Sequence, residues 1–170
     1  SFYKIENGSK KYYDQNSRTY KVIPGTEKLL ILSTLKENNV IWNNPGSTIY
    51  DLGDGILNLE FHTKMNTINQ DVIEGLNKAI DLAEESYEGL VIYNEGQNFS
   101  AGADVGMIFM LAVQQDFDEL NIAVKRFQDT MMRARYSSVP VVAAPHGMTL
   151  GGGCELCLHV DKVIANSETY

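Results

Sequence analysis

The segment HGMTLGGGCEL at residues 146–156, read together with FSAGAD at residues 99–104, decides the fold of this chain. Val139-Pro140-Val141-Val142-Ala143-Ala144 leads into the former and Gly89-Leu90-Val91-Ile92-Tyr93 into the latter. Small residues therefore stand where a buried strand gives way to a helix. At such a junction backbone N–H groups without intrahelical partners can face a ligand oxygen, because no side chain blocks the approach. Glu155 follows Gly152 by three residues. The two segments predict a pair of amide donors beside a carboxylate, which can polarise a carbonyl and move a proton next to it.

Outward from these junctions, residues 47–52 and 55–61 flank the hairpin turn Gly53-Asp54-Gly55. Asn69 is placed to cap a helix running to about Glu85, with Val72, Leu76, Ala79, Ile80 and Ala83 on one face. A helix is clearest over Asp118–Tyr136, where Leu120, Val124, Phe127, Met131 and Ala134 recur at helical spacing. Gly152–His159 reads as a short helix and Lys162–Ala165 as a last strand. Met107-Ile108-Phe109-Met110-Leu111 fits either core packing or an adaptable wall for an apolar ligand. Strands alternating with helices predict an α/β fold with a largely parallel sheet. Periodicity alone leaves a doubly wound topology open.

The first 24 residues differ: tyrosine-rich short strands alternate with polar turns such as Asn7-Gly8, and Pro24-Gly25 ends the run. A helix is expected from Thr26 to about Lys36, then a boundary rich in Asn up to Gly46. Residues 1–46 are thus expected to be an appendage or linker, and residues 47–170 the main domain.

In 170 residues, 44% apolar and 21% charged side chains fit a globular domain, and no apolar stretch is bilayer-long. The formal charge of −8 argues against nucleic acid. The only cysteines, Cys154 and Cys157, give no disulfide framework, so a reducing, cytoplasmic setting is expected. Cys154-Glu155-Leu156-Cys157 at a helix start raises a thiol oxidoreductase as a competing reading. The usual aromatic and Gly-Pro context is missing. His159 and Asp161 lack a second ligand pair, so no metal site is expected.

The two opening segments resemble the signature segments of the crotonase (enoyl-CoA hydratase/isomerase) superfamily. Ile56–Phe61, Met65-Asn66-Thr67-Ile68-Asn69 and Val139–Ala144 match further segments in the family's order, over about residues 47–170. The resemblance implies a ββα spiral core, incomplete at the C-terminus, with an N-terminal hairpin/helix appendage. It implies an enoyl-CoA hydratase-like lyase of fatty-acid β-oxidation, with acyl-CoA as substrate and no cofactor for the hydration step. On it, the amides of Ala103 and Gly152 form an oxyanion hole and Glu155 acts on water. The same resemblance implies that Lys64, Met65, Ala101, Asp104, Val105 and Gly151 bind the substrate and its CoA part. The family's hydratases use a second Glu roughly twenty residues further on, beyond Tyr170, so the isolated chain is expected to be poorly active. Residues 1–46 resemble the tail of a 3-hydroxyacyl-CoA dehydrogenase segment. That implies a multifunctional parent protein in which NAD would serve a dehydrogenase domain, with other domains or further copies of the chain as partners. A truncated or degenerate crotonase acting as an acyl-CoA-binding or assembly module is the alternative.

Overall fold

A computed structural model describes residues 1–6, 9–26, 32–36 and 39–170. They fall into two compact units, Ser1–Val40 and Ile41–Tyr170.

In the first unit, β1 (Tyr3–Glu6), β2 (Ser9–Asp14) and β3 (Thr19–Val22) form an antiparallel sheet in sequence order. Asp14 closes the β2–β3 turn by accepting from the Asn16 N–H at 3.1 Å and the Ser17 hydroxyl at 2.7 Å. Across the same strand pair the Tyr13 and Tyr20 rings meet edge to face at 5.3 Å. The Lys11 and Lys4 ammonium groups hydrogen bond to Glu6 and hold its carboxyl at about 2. The Asn7-Gly8 turn lies outside the described residues. Of the helix expected over Thr26–Lys36, residues 27–31 also lie outside them, and Leu32–Thr34 form a single 3₁₀ turn.

The second unit is built on a six-stranded sheet in sequential order: β4 (Val40–Asn43), β5 (Ser47–Asp51), β6 (Ile56–Phe61), β7 (Gly89–Ile92), β8 (Val141–Ala143) and β9 (Lys162–Val163). β5 and β6 form the expected antiparallel hairpin, and β6 through β9 run parallel. The order never reverses, which rules out the doubly wound topology that periodicity left open.

Instead the chain winds as a spiral. After β6, β7 and β8 it passes through short extended segments, and these hydrogen bond side by side. The Ile68 N–H donates to the Gly102 carbonyl at 2.8 Å, and the Asp104 N–H to the Ile68 carbonyl at 3.3 Å. The Ser100 N–H donates to the Met148 carbonyl at 3.1 Å, and the Leu150 N–H to the Ser100 carbonyl at 3.0 Å. Each segment then enters a helix: α1 (Gln70–Ser86) after β6, α2 (Val105–Val113) after β7 and α4 (Gly152–His159) after β8. A strand, a short second strand and a helix make one turn of the spiral.

The helices form where the sequence caps them. Asn69 accepts from the Val72 N–H at 3.0 Å to start α1. The predicted apolar face of α1 is buried: Val72, Leu76, Ala79, Ile80 and Ala83 are all at most 1% exposed, in one core cluster with Leu57, Leu59 and Phe61 of β6. Burying a side chain of that size contributes about 1.5–3 kcal/mol. Asp116 caps α3 (Phe117–Arg135), and Arg133 of α3 reaches Asp81 and Glu84 of α1 at 2.8 and 3.1 Å. Within α3 only Thr130, Met131 and Ala134 are buried, so the apolar stripe predicted from Leu120 onward packs only in its C-terminal part.

Candidate active site

The two glycine-bearing segments lie side by side, held by buried polar groups. Ser100, fully buried, donates through its hydroxyl to the Asn66 carbonyl at 2.7 Å and accepts from the Gly102 N–H at 3.1 Å. Asn98 ties the neighbouring loops: its carbonyl accepts from the Asn66 side chain at 2.9 Å, and its Oδ1 accepts from the Met148 N–H at 2.9 Å. Asn94, also fully buried, accepts from the Phe61 N–H and donates to the Phe99 carbonyl. Phe99 adds an apolar anchor, its ring 6.2 Å from Phe61.

This scaffold exposes two amides. The bonds joining Gly102 and Asp104 to Ile68 turn the intervening Ala103 N–H to the opposite side of the strand. Gly152 opens α4, so its N–H has no intrahelical acceptor, whereas the Gly153 and Glu155 N–H groups donate to Leu150 and Gly151 carbonyls. Among the described residues neither the Ala103 nor the Gly152 N–H donates a hydrogen bond. They are close neighbours. A methyl placed on Gly152 would sit 3.3 Å from the Ala103 nitrogen, and one on Gly102 would sit 3.3 Å from the Gly152 nitrogen. Gly102 has φ +100 and its added methyl would press to 2.9 Å from the Leu150 carbonyl, so only glycine fits. Two adjacent unpaired amides, one at a helix N-terminus, suit an oxygen that gains negative charge.

Ala103 and Glu155 line one cavity of about 240 Å³. Its apolar wall comes from Ile68 and Ile73, from Met107 and Ile108 of α2, and from Val124 and Phe127 of α3. Glu155 lies in the first turn of α4 and is exposed, and among the described residues its carboxylate has no hydrogen-bond partner. A free carboxylate facing a cavity that holds an amide donor can hold a water or exchange a proton with a bound carbonyl compound.

The other predicted residues fall into two groups. Asp104 lines the cavity, and its Oδ1 caps α2 by accepting from the Gly106 and Met107 N–H groups at 3.0 and 3.3 Å. Gly151 is the N-cap of α4 with φ 45, and Ala101 donates its N–H to the Met65 carbonyl at 3.1 Å. Lys64 and Met65 belong to the one-turn 3₁₀ segment Lys64–Asn66, and Val105 is the first residue of α2, 70% exposed. Of these residues only Asp104 lines the cavity; Ala101, Gly151, Lys64, Met65 and Val105 lie outside its wall. Phe127 stands in the sequence only as one of the apolar residues at helical spacing, yet its ring lies where a methyl on Gly152 would come within 2.8 Å of it. Ser100 belongs to the FSAGAD segment, whereas the scaffold residues Asn94 and Asn98 are marked in the sequence only by standing just past an apolar strand.

Of the Cys-x-x-Cys pair, Cys154 is exposed and Cys157 is buried; burial, with Cys154 adding a smaller effect, pushes the Cys157 thiol up to about 11.

Comparison with known proteins agrees with this geometry. A family model described as "Enoyl-CoA hydratase/isomerase" matches residues 51–170. A Bacillus subtilis (strain 168) protein named "Probable 3-hydroxyacyl-CoA dehydrogenase" is 45% identical over 171 residues, covering 100% of this chain and 21% of that protein. The structure of an enoyl-CoA hydratase/isomerase from Xanthobacter autotrophicus Py2 superposes with a TM-score of 0.67 at 24% identity, covering 76% of this chain and 48% of that one. The structure of an enoyl-CoA hydratase from Thermoplasma volcanium GSS1 gives 0.59 at 30% identity, covering 72% and 49%. The chain belongs to the enoyl-CoA hydratase/isomerase family and has the crotonase fold. It spans about a fifth of the length of the first relatives it matches, 21% and 18%. No helix among the described residues is long and apolar enough to cross a membrane.

Proposed function

We propose that this chain carries the oxyanion-hole half of an enoyl-CoA hydratase-like site for fatty-acid β-oxidation. The observation that carries the reading is the pair of adjacent unpaired amides, Ala103 and Gly152, with Ala103 and Glu155 on the wall of one cavity. The two N–H groups bind the thioester oxygen of an enoyl-CoA. Charge that flows onto that oxygen during addition is met by donors already in place, and one such donor contributes about 2.7–4 kcal/mol of barrier lowering. Glu155 orients the water that adds across the double bond. The acyl chain lies between α2 and α3, against Met107, Ile108 and Phe127. Lys64, Met65, Ala101, Val105 and Gly151 take the CoA side, with Asp104 shaping the turn through its cap.

Residues 1–46 join this domain to a 3-hydroxyacyl-CoA dehydrogenase within a multifunctional, cytoplasmic protein. The name of the 45%-identical Bacillus subtilis relative supports that parentage. Hydration itself needs no cofactor, and NAD serves the dehydrogenase. The isolated chain is poorly active and works with other domains or further copies.

The test is hydration of crotonyl-CoA, followed by loss of enoyl-thioester absorbance, with the full-length protein and with this chain alone. Turnover by the full-length protein that disappears in Glu155→Gln supports the reading. Tight acyl-CoA binding with no turnover in the full-length protein supports a binding module instead.

A further inference from the structure

Arg126 stands apart from the other arginines of α3. Arg133 donates to Asp81 and Glu84, and Arg135 lies over the Tyr136 ring at 6.0 Å. Among the described residues the Arg126 guanidinium has no such partner, and it is the only cation on the wall of the cavity that holds Ala103 and Glu155. It also lines an adjoining groove of about 420 Å³ between α1 and α3, which shares Gln70, Ile73 and Arg126 with the cavity. The acyl cavity therefore does not close on an apolar floor. On its α1 side it meets a free guanidinium and an amide.

Helical geometry explains the direction. The Phe127 ring packs against Gly152, and successive helical residues diverge by about 100°. Arg126 is thereby turned off the oxyanion hole toward Gln70 and Ile73. Two of the acidic groups around it are held by other partners. Asp129 is held by Lys125 at 2.9 Å, and Asp104 is held by the Gly106 and Met107 amides. Glu74 on the groove wall and Glu155 on the cavity wall have no partner among the described residues, and the cavity side is the one from which an acyl chain held at the two amides reaches Arg126.

A guanidinium offers a planar fork of donors that matches a carboxylate in bidentate fashion. We propose that Arg126 is a specificity-determining residue that receives the terminal carboxylate of the acyl chain. The preferred substrate class is then the CoA thioester of an enoyl acid carrying a second, distal carboxylate. This inference rests on the acyl-CoA reading of the site.

The experiment compares hydration of glutaconyl-CoA, whose chain ends in a carboxylate, with that of crotonyl-CoA, whose chain ends in a methyl group, using the full-length protein. The wild type is expected to favour glutaconyl-CoA in kcat/KM. Arg126→Gln should lower that value for glutaconyl-CoA by about 10- to 100-fold, mostly through KM, the scale of a lost charge-assisted hydrogen bond. It should leave crotonyl-CoA within about twofold, the span of a removed surface charge. Arg126→Lys should restore part of the preference. Equal effects of Arg126→Gln on both substrates, or a wild-type preference for crotonyl-CoA that the variant does not alter, overturn the proposal while leaving the acyl-CoA reading intact. Absence of turnover with either substrate in the wild type overturns both.

Discussion

Replacing Gly152 by alanine tests the oxyanion hole with one methyl group. The added Cβ would sit 3.3 Å from the Ala103 nitrogen, in the space a thioester oxygen must occupy, and 2.8 Å from the edge of the Phe127 ring. Two effects on stability oppose each other. Overpacking costs about 1–3 kcal/mol, and replacing a helical glycine returns about 0.5–1 kcal/mol. The net loss is therefore expected to be at most about 2.5 kcal/mol, within reach of relaxation by the half-buried Phe127. The effect on catalysis is larger. The Gly152 N–H remains, but a methyl that keeps the thioester oxygen from one amide costs as much as a lost donor, about 2.7–4 kcal/mol of transition-state stabilisation, a fall of roughly 10²- to 10³-fold in kcat. Crotonyl-CoA hydration by the full-length protein measures it. Pairing the change with Phe127→Leu separates the two contacts, because the smaller side chain relieves the ring clash and leaves the methyl against the Ala103 amide. The double variant should regain stability and stay inactive. Recovery of activity in the double variant, or a single variant within about threefold of wild type, would refute the placing of the thioester oxygen between the Ala103 and Gly152 amides.

Four further outcomes follow from the same geometry. Glu155→Gln should lower kcat by about 10²- to 10⁴-fold, with acyl-CoA affinity held, as measured by calorimetry beside turnover. Asn94→Ala should leave the Phe61 N–H and the Phe99 carbonyl unpaired in a buried site, costing about 2–4 kcal/mol in a urea melt. Iodoacetamide at about pH 8, below the raised thiol value, should label exposed Cys154 and spare Cys157 until the protein is unfolded, as read by mass spectrometry. The Ser138 N–H, with help from Arg133, holds the Glu84 carboxyl below its ordinary value against a smaller opposing effect of burial. Its stabilising contribution is present above the unfolded carboxylate value of about 4.3 and is lost as pH falls through the lower folded value. Glu84→Gln should accordingly flatten the acid limb of a melting-temperature profile.

The residues that were easiest to read are those whose role is local. Asn69 caps α1, and Val72 through Ala83 repeat at helical spacing on a buried face, so sequence and structure agree there. The same holds for the hairpin around Gly53-Asp54-Gly55 and for the glycines that open α4. Helix α2 escaped notice because Val105–Val113 carries no charged residue and none of its residues is buried, which leaves no polar face to set a period. Its legible signal was the Asp104 cap. Strand β4 was hidden in the Asn-rich stretch read as a boundary. The apolar residues of α3 recur at helical spacing from Leu120 onward, yet Val124 is 43% exposed and lines the cavity. Periodicity reports an apolar face without saying whether protein or ligand covers it. Asn94, Asn98 and Ser100 act across distant segments, and pairings of that kind become visible only once the spiral brings the loops together.

The central claim is that the Ala103 and Gly152 amides together polarise a thioester carbonyl, and vibrational spectroscopy of a bound acyl-CoA labelled at that carbonyl reads it most directly. The account predicts a C=O stretch at lower wavenumber in the complex with the full-length protein than in water, and a return toward the water value in Gly152→Ala. A bound carbonyl whose stretch matches that in water, or one whose shift survives the Gly152 substitution, would contradict it.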